Sequence, residues 1–194
     1  MYAEKITAPG SGRLLGVEVG SKNPSALISI EQKRMYLYEM LETISRQAAF
    51  FQGEGLFCSI VVADDGMAAL LTFDHLCRSM LKTLPFVTLQ LPQGLHTKIE
   101  DLSRGVNSVW LADVGNGLPF VQNCDVVVLD EEFARVQIDK ETFNILINNI
   151  RRYSDRIIVR TGDMNKRVIL HNAGVWGCAG LYPPTPLTQV NTLL

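Results

Sequence analysis

The chain has 194 residues, 47% of them hydrophobic and 20% charged, with a formal net charge of −2 and a pI near 5.9. That balance supplies one sizeable core and excludes a disordered chain, so residues 1–194 are expected to form a single domain. Lys and Arg occur in ones and twos, which disfavours direct nucleic-acid binding. No stretch approaches the roughly 20 uninterrupted apolar residues of a membrane span, and the region around Glu4 and Lys5 has no apolar signal core, so a cytoplasmic protein without membrane contact is expected.

Along the chain, Val- and Ile-rich runs alternate with stretches of helical period, the pattern of a parallel sheet covered by helices. A first strand is read at residues 14–19. A helix follows at 30–50, with Ser29 and Gln32 at capping-box spacing and Leu37, Leu41, Ile44 and Ala48 on one stripe. The second strand is 56–62. Asp64 and Asp65 then stand where they cap a helix carrying Met67, Leu70, Leu71 and Met80, and Pro85 closes that region before a third strand at 86–91. Residues 95–103 show no clear period. A fourth strand at 108–113 runs into the glycine-rich turn Asp113-Val114-Gly115-Asn116-Gly117. Two strands are read at 124–129 and 134–138, then a helix at 141–153 with Phe143, Leu146, Ile147 and Ile150 on one face, and a strand at 157–160. Residues 167–171 end a short helix, 175–179 form a last strand, and Pro183, Pro184 and Pro186 mark a turn. Seven or eight strands alternating with helices, without a GxGxxG fingerprint after the first, favour an α/β TIM-like barrel over an open doubly wound sheet.

In such a barrel the C-terminal strand ends carry function. They offer Glu18, Val61, Gln90, Gln93, Asp113, Asp139, Arg160 and Thr161, with Trp176 in the last strand. A centre for two divalent ions needs several anionic oxygens, since dications roughly 3.5 to 4 Å apart repel strongly unless neutralised. Glu18, Asp113 and Asp139 are too few, and turn capping is their simpler role. Cys58, Cys77, Cys124 and Cys178 form no CxxC pair and are expected as buried small hydrophobes. His75, His96 and His171 have no second ligand at metal spacing.

The order of these features resembles the EAL domain, a TIM-like barrel that hydrolyses cyclic di-GMP with two metal ions. Gly16-Val17-Glu18-Val19-Gly20 looks like the EAL segment with its Glu kept. Val61 stands at the family's metal-binding Asn, and Gln90-Leu91-Pro92-Gln93 replaces both acids of Glu-Ile-Thr-Glu. Ala112-Asp113-Val114-Gly115-Asn116-Gly117 resembles Asp-Asp-Phe-Gly-Thr-Gly with the first Asp lost. Gln137-Ile138-Asp139 matches Lys-Ile-Asp without its Lys, Thr161-Gly162-Asp163-Met164 stands for Glu-Gly-Val-Glu, and Trp176-Gly177 for the late Gln-Gly.

What this resemblance implies is a shortened, degenerate EAL-like domain spanning the chain. Glu18, Val61, Gln90, Ala112, Asp113, Gln137 and Asp139 are its vestigial site positions, with no metal, no cofactor and no catalysis. Leu56-Phe57, the run Phe133 to Lys140, and Trp176-Gly177-Cys178 resemble in particular the stand-alone enterobacterial members that act by protein binding. The partner this implies is FlhD of the flagellar master regulator FlhDC, with repression of flagellar genes and motility as the outcome. The weaker alternative is a cyclic di-GMP receptor without hydrolysis, in which Arg160 holds a phosphate and Trp176 stacks on guanine.

Overall fold

In the computed structural model, residues 1–20, 29–102, 105, 107–115, 117 and 124–194 are described. Asn116 of the glycine-rich turn and Ser103 lie outside them. The first strand is β1 (Tyr2–Thr7), which runs antiparallel to β2 (Leu14–Gly20), with Glu4 paired to Glu18. The parallel strands β3 (Phe57–Val61), β4 (Val87–Pro92), β5 (Val109–Val114), β6 (Val126–Leu129), β7 (Arg156–Arg160) and β8 (Gly177–Ala179) follow in sequence order around the sheet. β1 pairs with β8 on one side and β2 on the other, so eight strands close into a barrel. A two-residue strand, β9 (Thr185–Pro186), adds to β1.

Helices cover the barrel. The expected helix at 30–50 is two, α1 (Ile30–Arg46) and α2 (Ala48–Glu54), interrupted at Gln47. Its start is as read: the Ser29 hydroxyl accepts from the Gln32 amide, and the Gln32 side chain accepts from the Ser29 amide. Leu37, Leu41 and Ile44 are fully buried against the strands, each worth about 1.5 to 3 kcal/mol relative to exposure. Asp64 caps α3 (Asp65–Phe73). Asp74 then leaves helical backbone and caps α4 (His75–Lys82), dividing the second expected helix in two. A single turn, α5 (Ile99–Leu102), lies in the segment without a clear period.

One expected strand is not a strand. Residues 134–137 belong to a helix, α6 (Glu131–Gln137), whose N-cap is Asp130 and whose C-cap is Ile138. The Asp130 carboxylate accepts from the Phe133 amide at 2.7 Å, and Glu131 and Glu132 place negative charge in the first turn. A β-branched Val136 amid apolar neighbours imitated a strand, but the cap and the acidic turn determine the backbone. Further helices are α7 (Phe143–Ile150) and α8 (Arg167–Asn172), the latter preceded by a 3-10 turn, Met164–Lys166, and a 3-10 segment, Leu187–Leu193, follows β9.

The apolar interior has two levels. Two large clusters lie between strands and helices, one around β2 to β4 and one around β5 to β8. A small cluster of Ile6, Trp110, Ala112, Val126, Val128, Ile158 and Ala179 fills the inside of the barrel. Cys58, Cys77 and Cys178 are buried free thiols; Cys124 is only half-buried, so the expectation of buried cysteines holds for three of the four.

Candidate functional site

Alternation along a strand sends every second side chain inward. On β2 this turns Glu18 into the barrel, on β3 Ser59, on β4 Gln90 and on β7 Arg160. These four meet near the C-terminal ends of the parallel strands. The Gln90 amide donates to Glu18 Oε2 at 2.7 Å and to the Ser59 hydroxyl at 2.8 Å, with all three residues buried. Arg160 donates to the same Glu18 oxygen and, at 3.4 Å, to Glu4.

Glu4 is the functional-end residue that sequence reasoning missed. The sequence does not announce β1, because Tyr2-Ala3-Glu4-Lys5-Ile6-Thr7 mixes polar and apolar residues on both faces. Its antiparallel register sets Glu4 directly opposite Glu18. Like charges facing each other across strands are unfavourable, and the Arg160 guanidinium reaches both. Burial pushes the Glu4 carboxyl above its ordinary range, against the lowering influence of Arg160. Burial also works against the Arg160 charge, yet Glu18 and Glu4 hold it firmly protonated.

Asp113 sits at a β-bulge. β5 and β6 pair as Leu111 with Val127 and then Val114 with Leu129, so β5 carries one extra residue, and Asp113 takes a φ of 56°. Partial desolvation of its carboxyl, followed by the facing charge of Asp130, raises its pKa, with Arg160 pulling the other way. The next glycine is required: Gly115 has a φ of 107°, and a Cβ there would lie 2.3 Å from the Phe133 ring.

The other expected site positions scatter. Val61 ends β3 beside Gln90, and Ala112 is buried in the barrel interior. Gln137 is the last residue of α6. Asp139 lies beyond that helix with its side chain 62% exposed and pairs with Lys166, so it is not at a strand end. The strand-end acid in this region is Asp130, which follows Val128-Leu129. The readable signal was the continuous apolar run Val126 to Leu129 broken by Asp-Glu-Glu. Asp163 caps the 3-10 turn.

Trp176 also moves. It precedes β8, and its ring lies over Arg156 at the start of β7. Arg160, at the other end of the same strand, is four residues on, roughly 13 Å at ~3.3 Å per residue. The two therefore face opposite mouths of the barrel and do not grip one nucleotide together.

The donor set does not fit a pair of divalent ions. A guanidinium already occupies the space between Glu18 and Glu4, the Gln90 amide donates to the oxygen a metal would take, and Ala112 and Val61 bring no donor atoms. Among the described residues, no three His, Cys, Asp or Glu side chains are grouped to share a metal.

No family model matches the sequence, and no curated protein matches it. Solved structures do. The EAL-like domain protein YdiV superposes over 100% of this chain and 94% of its own, at a TM-score of 0.83 and 20% identity. An EAL domain protein from Listeria monocytogenes EGD-e superposes over 99% of this chain and 90% of its own, at 0.74 and 15%. Klebsiella pneumoniae BlrP1, in a manganese and cyclic di-GMP complex, matches 95% of this chain with 55% of its own, at 0.74 and 14%. At these identities the likeness is one of fold: the chain has the EAL-like barrel in a short form.

Proposed function

We propose that this chain is a catalytically inactive EAL-like protein that works by binding another protein. The observation that carries this reading is the closed polar centre, where Arg160 and Gln90 use the Glu18 carboxylate that an EAL enzyme would give to metal. A cation placed between the acids repels a dication, and a polar network whose members satisfy one another has little to gain from a ligand. Asp113 and Asp130 are then two carboxylates near each other at the rim.

The partner in this reading is FlhD within the flagellar master regulator FlhDC, bound so that flagellar genes and motility are repressed. Its support is the resemblance of Leu56-Phe57, Phe133 to Lys140 and Trp176-Gly177-Cys178 to the enterobacterial degenerate type, together with the likeness in fold to YdiV. Co-purification of the two at micromolar concentration, followed by a gel-shift assay of FlhDC on a promoter, tests it. The expected result is a stable complex and loss of the shifted band; no complex at those concentrations rejects the partner. Calorimetry with Mn²⁺ and cyclic di-GMP tests the inactive centre, with no binding heat expected for either. A nucleotide-binding isotherm would replace this reading with that of a receptor.

A further inference from the structure

The barrel's other mouth, at the N-terminal ends of the parallel strands, opens into a cavity of about 680 Å³, within the roughly 300 to 1,000 Å³ of small-molecule sites. Its wall is aromatic. Phe57 lies against Trp110 at 4.7 Å and against Trp176 at 5.6 Å between ring centroids, and Phe86 joins them along the lining. Two exposed arginines, Arg13 and Arg156, stand among its lining residues, with Glu54 and Leu194 at its edge. Among the described residues neither arginine is ion-paired. On the barrel wall, Thr88 is 6% exposed, and its hydroxyl has no hydrogen-bond partner among the described residues. A buried hydroxyl left unpaired in a native fold calls for an explanation, and a bound group is one.

We infer that this mouth binds a flat aromatic anion: an arene whose acidic group lies toward Arg13 and Arg156 and whose far end carries a hydrogen-bonding atom for Thr88. The rings supply stacking and edge contacts to the arene body. The guanidinium of Arg156, seated 5.3 Å from the Trp176 ring centroid, has N–H donors to offer an acid. The site is separate from the closed centre around Glu18 and stands whether or not that centre is inert.

The probe is 6-hydroxy-2-naphthoate, which has an acid at one end and a hydroxyl at the other, compared with 2-naphthoate and 2-naphthol. Calorimetry on the full chain should show one site. Intrinsic fluorescence should quench in step, because both tryptophans of the chain line the cavity. The Arg13→Gln/Arg156→Gln variant, altered only at exposed positions, should bind both naphthoates about tenfold more weakly while leaving 2-naphthol within about twofold. In Thr88→Val the advantage of the hydroxylated over the plain naphthoate should vanish. Absence of binding at millimolar probe, more than one site, or equal weakening of the naphthoates and naphthol in the arginine variant overturns the inference; a thermal melt of each variant verifies that it is folded.

Discussion

Replacing Arg160 by Met keeps an unbranched apolar stem and removes the cation shared by Glu18 and Glu4. The side chains of Glu18, Glu4 and Arg160 are 10%, 20% and 21% exposed. Breaking a buried ion pair costs about 3 to 5 kcal/mol, and the share of this network that reaches water reduces the expectation to about 2 to 3 kcal/mol. At about 2 to 4 °C per kcal/mol for a domain of this size, the melting temperature should fall by roughly 5 to 10 °C near neutral pH. The sign with pH follows from linkage. Burial and the facing charge of Glu18 raise the Glu4 carboxyl, and Arg160 lowers it; without Arg160 the Glu4 carboxyl is raised further, so the folded state takes up a proton more readily. Stability then rises as pH falls through that raised value, and the deficit against wild type shrinks from about pH 7 to a mildly acidic pH. Glu18→Gln on top of Arg160→Met should recover part of the loss, since it removes one of the facing charges. Melts followed by circular dichroism at both pH values measure all of this. A loss under about 1 kcal/mol, or a deficit that widens on acidification, would refute the account of Arg160 as the balance between two buried acids.

Two further outcomes come from backbone features. Asp74→Ala removes a carboxylate that accepts from the Cys77 and Leu76 amides and from the Tyr38 hydroxyl, each at 3.0 Å; urea unfolding should show a loss of about 1 to 2 kcal/mol. The Cys77 amide above all holds the Asp74 carboxyl below its ordinary range, so this contribution is present above the unfolded pKa and lost as pH falls through the folded one. Gly115→Ala should cost more than about 2 kcal/mol, because its Cβ meets the Phe133 ring. Gly55→Ala, also at positive φ but with nothing within 4 Å, should cost only about 1 kcal/mol by the same unfolding assay.

The barrel was legible because its parallel strands are buried on both faces and read as unbroken apolar runs. Val126 to Leu129 and Ile157 to Val159 stand out on that ground alone. Elements whose identity depends on a cap or a distant partner were not. Asp74 breaks one helix into two through a cap that an apolar stripe does not announce. β1 is a strand only because β2 and β8 pair with it. The site shows both effects: strand pattern points to Glu18 and Gln90, but it points to Asp139 where the strand-end acid is Asp130, and it gives no sign of Glu4. That Arg160 lies between two acids is a matter of register between strands more than 130 residues apart, which no local spacing records.

The closing strand also has a temporal side. Thr7 pairs with Cys178, 171 residues further along the chain, and Tyr2 and Ala3 pair with Pro186 and Thr185. As the chain leaves the ribosome, β1 and β2 can form a hairpin early, but the opposite edge of β1 has no partner until residues 177–186 have been synthesised. For that interval the nascent protein displays an open β-edge, the feature most prone to pairing with another molecule. A late, rate-limiting closure that depends on residues 177–186 is the expected kinetic signature, and chains shortened before β8 should aggregate instead of settling into a smaller barrel.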